Sequence, residues 1–166
     1  MVEFLMAAFI LAIGLLGLAS LQILALRSTG TSRGLSTSVL VADGITERIA
    51  TEADQSYLGM IFSSAPTGAT RYIGKAPVQA NVAPADAVPA KAIVDYFDPA
   101  GQPLKNATGA YFTASTWIDS QTKGNGSTGQ TDVFRVRVVF NEAPNAAKPG
   151  TFLTHAVNVT RTVIHA

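Results

Sequence analysis

The sequence contains no cysteine among its 166 residues. A disulfide framework, a thiol nucleophile and a zinc–thiolate site are therefore excluded. Blocks of like charge are also missing, and 12 Lys and Arg residues against 11 Asp and Glu residues give a net charge of +1. Nucleic-acid binding depends on a clustered basic surface. We therefore expect no nucleic-acid partner.

Residues typical of enzyme sites are scarce. The two histidines, His155 and His165, lie on a predicted terminal strand without a third ligand at metal-site spacing, so we expect surface residues rather than metal ligands. Asp95 and Asp98 flank a turn, and Asp98 before Pro-Ala-Gly is typical of turn chemistry rather than of a catalytic acid pair. No phosphate-binding loop or nucleophile elbow occurs. The sequence thus predicts no enzyme activity, catalytic residue, cofactor or metal.

Charge and proline are both absent from residues 4–26, which follow a single acid, Glu3. Apart from Ser20, Gln22, Gly14 and Gly17, this segment is built from Ala, Leu, Ile, Phe and Met. As a helix rising ~1.5 Å per residue, it is long enough to cross a hydrocarbon layer of about 30 Å. A secretory signal has a shorter apolar core and a basic leader. The segment therefore predicts a retained transmembrane helix rather than a cleaved signal.

The helical pattern continues beyond this segment, since no proline occurs before Pro66. Apolar residues recur at helical spacing and predict a stripe that packs on a sheet, formed by Leu35, Val39, Ala42, Ile45 and Ile49. Charged residues are placed on the other faces, with Arg48 and Glu52 spaced for an i,i+4 pair. We predict one helix from about residue 2 to 54. Glycines and hydroxyl residues within 27–34 leave open two helices with a hinge at 28–34.

Alternating apolar residues replace this pattern in the second half of the chain. They predict strands at 70–74, 92–97, 110–120, 132–141 and 151–165, with loops over most of 63–90 and at 123–130. Phe134, Val136, Val138 and Phe140 fall on one face of their strand, as do Leu153, Val157, Val159 and Val163. The predicted fold class is α+β: a long N-terminal helix packed against a C-terminal antiparallel sheet. The predicted organisation is a membrane-spanning half helix (1–26), an amphipathic half helix (27–54) and a globular sheet domain (55–166).

Three stretches carry a family resemblance. Residues 2–5 (Val-Glu-Phe-Leu), 7–19 (Ala-Ala-Phe-Ile-Leu-Ala-Ile-Gly-Leu-Leu-Gly-Leu-Ala) and 42–49 (Ala-Asp-Gly-Ile-Thr-Glu-Arg-Ile) resemble type IV pilins and pseudopilins. Within that superfamily they are most similar to minor pilins of the PilV type. The resemblance implies the pilin fold, in which one sheet packs on the amphipathic half of the helix.

The resemblance also implies site residues and partners. Glu3 would pair with the N-terminal amine of a neighbouring subunit and set the axial register of a filament. The membrane and filament-core residues would be Phe4, Leu5, Phe9, Ile10, Ile13, Gly14, Leu16, Gly17, Leu18, Leu21 and Leu24. The partners would be the inner membrane, other major and minor pilins, the pilus assembly machinery and a prepilin peptidase. In the family this peptidase removes a basic leader before the new N-terminus is methylated; aligning the family's glutamate with Glu3 places the cleavage site upstream of Met1.

The resemblance and the flanking charges disagree on topology. Arg27 and Arg33 follow the span, which by the positive-inside rule would place the C-terminal domain in the cytoplasm. The resemblance implies a periplasmic domain that later becomes extracellular in a pilus. Two alternatives to a minor pilin stay open: a pseudopilin of a type II secretion system, and an unrelated single-pass protein whose outer domain binds a partner.

Overall fold

The computed structural model describes residues 2–62, 70–79, 88–123, 129–144 and 152–165. The chain divides into two compact units, Met1–Gly34 and Leu35–Ala166. The first unit contains the N-terminal part of helix α1. The second contains the rest of that helix together with the sheet.

Helix α1 spans Val2–Phe62 and so continues past the predicted end at residue 54. Residues 28–34, where a hinge was considered, are helical. The hydroxyl residues of this region are compatible with a helix because their side chains bond to carbonyls one turn back. Thr29 donates to Ala25 O (3.0 Å) and Thr31 donates to Arg27 O (3.1 Å).

A five-stranded antiparallel sheet follows the helix. Its strands are β1 (Ile93–Phe97), β2 (Pro103–Leu104), β3 (Phe112–Thr122), β4 (Gln130–Pro144) and β5 (Phe152–His165), in the order β2-β1-β3-β4-β5. Four of the five predicted strands correspond to β1, β3, β4 and β5. The short β2 was not predicted. It is connected to β1 by a turn in which the Asp98 carboxylate accepts hydrogen bonds from the amides of Ala100 and Gln102.

The core lies between one face of this sheet and α1. Strand pairing aligns Val136 with Val159 and Val138 with Val157, so their side chains share that face. The predicted inward residues of β4 are fully buried: Phe134, Val136, Val138 and Phe140. The side chain of Leu153 lies outside the described set. The predicted α+β arrangement, a long N-terminal helix packed on an antiparallel sheet, is confirmed.

The strand predicted at residues 70–74 is wrong, because this segment forms a turn. The amides of Lys75 and Ala76 both donate to Tyr72 O, and Gly74 has φ 71°. Tyr72 and Ile73 are both buried, although consecutive residues of a strand would point to opposite faces. Residues 77–79 pair with the sheet backbone through a parallel bridge between Val78 and Ile118.

The helical stripe that packs on the sheet also differs from the prediction. Ala42, Ile45 and Ile49 are buried, but Leu35 and Val39 are 39% and 42% exposed. Buried residues that the prediction left out include Ser38, Val41, Glu52 and Ala53.

The turn after β1 explains this shift of the stripe. A Cβ atom on Gly101 would lie 3.2 Å from the Thr37 methyl group and 3.4 Å from a Val41 methyl group, so the turn packs on that flank of α1. Val39 is two residues from both Thr37 and Val41 and therefore points to nearly the opposite side of the helix. The stripe passes instead through Ser38, whose hydroxyl is satisfied by Leu35 O at 2.8 Å.

Replacing Ile49 by Ala tests the position of the stripe. Ile49 is 0% exposed, so we expect the free energy of unfolding to fall by about 2–5 kcal/mol through lost burial and a cavity. Leu35→Ala is the control, and its loss should be under about 1 kcal/mol because the side chain is already partly in solvent. Thermal unfolding of the full-length chain in detergent, followed by the near-ultraviolet signal of Trp117, gives both values. Equal losses of unfolding free energy in the two variants would show that Leu35 also packs on the sheet.

Candidate functional site

The candidate site is the uncovered N-terminal part of α1. No residue from 2 to 26 is buried, and the large apolar side chains in this range are 55–78% exposed. Such contiguous exposure is unfavourable in water at roughly 25 cal/mol per Å². In the part of the chain that the structure describes, α1 is the one helix long and apolar enough to cross a membrane. Residues 2–26 could therefore anchor the chain in a membrane.

Every predicted residue of the membrane and filament-core set lies on this exposed segment. Its members point in all directions around the helix, since their positions do not follow one stripe. A helix that is apolar on every side is typical of a membrane span or of the interior of an assembly. The glycines fit either environment: a Cβ atom on Gly14 or Gly17 would meet nothing within 4 Å.

Glu3 lies in the first turn of α1 and is exposed. A carboxylate in the first turn is favoured by the helix dipole, by about 0.3–1 kcal/mol. In hydrocarbon, however, an unpaired carboxylate costs several kcal/mol. The described residues place no cation beside it.

A second group of charged residues holds the turn at 70–76 against the helix. The amides of Arg71, Tyr72 and Ile73 donate to one oxygen of Glu52, at 2.9, 2.8 and 3.3 Å. The other Glu52 oxygen lies 3.5 Å from the Arg48 guanidinium, which confirms the predicted i,i+4 pair. The placement of Glu52 on an outer face was wrong, because only 7% of the residue is exposed.

The same turn is also attached to β1. The Tyr72 hydroxyl donates to Asp95 at 2.8 Å, and Arg71 forms an ion pair with the other Asp95 oxygen. Burial, and after it the nearby Asp95 carboxylate, raises the pKa of Tyr72 above its ordinary value of 10.0. The hydrogen bond to Asp95 raises the pKa of Arg71. Asp95 therefore joins the turn at 70–76 to strand β1.

The expectation that His165 lies at the surface is wrong, whereas His155 is only partly buried. His165 is 3% exposed, and its Nε2 lies 2.7 Å from Asp132 Oδ2, while Gln130 donates to the other Asp132 oxygen. His155 is half-buried and stacks on Phe140, with ring centroids 5.3 Å apart. The pairing of β4 with β5 creates these contacts, because it aligns Gln130 with His165 and Phe140 with His155.

The burial of Trp117 was not predicted from the alternating pattern. This residue lies on the sheet face opposite the core. Its side chain is fully buried, and the Arg135 guanidinium lies 6.0 Å from its ring while bonding to Asp119 at 2.8 Å. The indole N–H has no hydrogen-bond partner among the described residues. Within the same residues, no group of three or more His, Asp or Glu side chains is placed to hold a metal ion.

Comparison with known proteins does not identify the chain. No family model, no curated protein and no solved structure matches it.

Removing the Glu52 carboxylate should release the turn at 70–76. Glu52→Ala leaves three amide donors without an acceptor, and each buried unsatisfied donor costs about 1–3 kcal/mol. We expect the amides of Arg71, Tyr72 and Ile73 to exchange hydrogen at least ~10-fold faster. Glu47→Ala is the matched control, since that acid is exposed on the same helix. Unchanged exchange at the three amides in Glu52→Ala would show that other contacts hold the turn.

Alkaline pH should destabilise the domain through Tyr72. The folded-state pKa is raised, so the phenol keeps its proton when the unfolded chain has lost it near pH 10. The stabilising contribution is fully present below pH 10 and decreases as pH rises from there toward the folded-state pKa, by about 1.4 kcal/mol per pH unit. Tyr72→Phe should remove this contribution to the decrease of the free energy of unfolding with pH. Urea unfolding of the unchanged chain and of Tyr72→Phe between pH 9 and 11 measures the free energy of unfolding at each pH. An identical pH dependence in both chains would show that Tyr72 does not cause the effect.

Proposed function

We propose that this chain is a structural subunit of a type IV pilus, most similar to a minor pilin of the PilV type. Residues 4–26 hold it in the inner membrane, with its C-terminal domain in the periplasm. Assembly transfers it into the filament, where it primes or caps the fibre. It then belongs to an extracellular pilus.

The observation that carries the proposal is the complete exposure of residues 2–26 in a chain whose other unit is a folded α+β domain. In a membrane these side chains contact lipid. In a filament core they contact the same segments of neighbouring subunits, an environment of similar polarity. A helix that is apolar on every side suits both environments, so one segment can serve storage and assembly.

Glu3 supplies the register in this proposal. Its carboxylate has no cationic partner among the described residues, and its burial in an apolar core requires one. The N-terminal amine of a neighbouring subunit neutralises it. The pairing favours one axial offset between subunits because it is formed at only one point along the helix.

The remaining partners follow from this role. Other pilins contact the N-terminal helix, a prepilin peptidase prepares the N-terminus, and the assembly machinery withdraws the subunit from the membrane. The sheet domain faces solvent in the fibre. The proposed work of the chain is packing rather than catalysis.

Replacing Glu3 by Ala tests the proposal in cells that make the fibres. We expect Glu3→Ala to stay in the membrane fraction, because the apolar segment is intact, and to fall by at least ~10-fold in sheared fibres. Asp43→Ala is the control, since Asp43 is an exposed acid on the same helix. Immunoblots of both fractions measure the distribution.

Two outcomes count against the proposal. If Glu3→Ala reached the fibres in the same amount as the unchanged chain, the proposed pairing of Glu3 would be wrong. An unchanged chain that is confined to the inner membrane and absent from fibres would overturn the filament role.

A further inference from the structure

The apolar segment contains one polar side chain that its own helix does not satisfy. The Ser20 hydroxyl donates to Leu16 O at 2.9 Å and is thereby shielded from lipid. The Gln22 carboxamide is exposed and has no hydrogen-bond partner among the described residues. It carries two N–H donors and one carbonyl acceptor. In hydrocarbon all three would be unsatisfied, which is costly.

Gln22 is poorly placed to reach the nearer membrane surface. It lies four residues before Leu26, roughly 6 Å along the axis from the end of the uncharged segment. Side chains of a helix point toward its N-terminus, so the carboxamide is directed away from that end and toward the middle of the segment. Hydration by headgroup water therefore requires an unfavourable side-chain direction.

The residues that share this side of the helix form a regular seam. Positions 4, 8, 11, 15, 18, 22, 25 and 29, spaced in steps of four and three, lie on the side of the helix that carries Gln22. The seam contains Leu11, Leu15 and Leu18 before Gln22, and Ala25 after it. A single polar residue in such a seam typically fixes the register of the pair.

We propose that Gln22 forms a hydrogen-bonded contact with Gln22 of a second copy of this chain in the membrane. A carboxamide is complementary to itself, since the N–H of each copy can donate to the carbonyl of the other. Parallel copies in one bilayer hold Gln22 at the same depth. The leucine side chains of the seam then pack on both sides of the polar contact.

This inference rests on the membrane placement in the proposed function and adds the partner of the helix. It does not depend on the presence of fibres. The two ideas can therefore fail separately.

The absence of cysteine allows a direct test by single-cysteine cross-linking of the full-length chain in native membranes. Leu18→Cys and Ala25→Cys place the thiol on the Gln22 seam, and Ile13→Cys and Leu24→Cys place it on the far side of the helix. Mild oxidation should give disulfide dimers from the first pair and few from the second. Co-expression of two differently tagged copies shows that both halves of a dimer are this chain.

The second step removes the carboxamide. In the Leu18→Cys background, Gln22→Leu should lower the dimer fraction by about 3- to 10-fold, the range expected for one interhelical hydrogen bond. Gln22→Asn keeps the carboxamide and should retain most of the dimer. Ser20→Ala is the matched control and should change nothing, because the Ser20 hydroxyl is bonded within its own helix.

Several results would overturn the inference. They are equal cross-linking on both sides of the helix, a dimer fraction unaffected by Gln22→Leu, and a cross-linked product that pairs this chain with a different protein. A chain found in membranes and fibres without Gln22-dependent dimers refutes only this contact. A chain missing from the membrane fraction refutes the proposed function as well.

Discussion

The contact between α1 and one face of the sheet is the interaction on which the rest of the structure depends. Val41, Ala42, Ile45, Ile49 and Ala53 meet the inward residues of β3, β4 and β5 and form a single core. An antiparallel sheet with one apolar face is unstable until that face is covered, and α1 covers it. Residues 2–26 of the same helix remain exposed and could anchor the chain in a membrane. One helix thus combines a segment that packs on the sheet with a segment that could anchor the chain in a membrane.

Polar contacts determine how the connection after the helix attaches to this core. Glu52 is buried at the edge of the core, where a carboxylate is tolerated only when it is hydrogen-bonded. Three consecutive backbone amides satisfy it, and Arg48 balances its charge. Asp95 has a similar role toward Tyr72 and Arg71. These two acids connect helix, turn and sheet and have no place in the proposed assembly chemistry.

Sequence periodicity predicted the elements well where burial alone decides the structure. The alternation from Phe134 to Phe140 defined both the strand and its inward face, because a strand with one buried face must alternate. It failed where polar groups are buried through contacts with distant segments. Glu52 and His165 were assigned to the surface because their partners, the amides of 71–73 and Asp132, are far away in the chain. Leu35 and Val39 were placed in the core because the flank on which the turn at 98–101 packs was not known.

The amino-acid sequence by itself determined that the uncharged apolar segment at residues 4–26 is helical, that strands follow later in the chain and that no thiol chemistry is available. These properties depend on composition and on the spacing of residues that are close together in the chain, so they can be predicted without knowing which distant residues meet. Only the tertiary structure decided which side of α1 is buried, which acids lie inside and where the histidines sit. Those outcomes depend on contacts between residues such as Glu52 and Tyr72 or Asp132 and His165. Such pairs are distant in the chain and meet only when the sheet register and the helix position are both set.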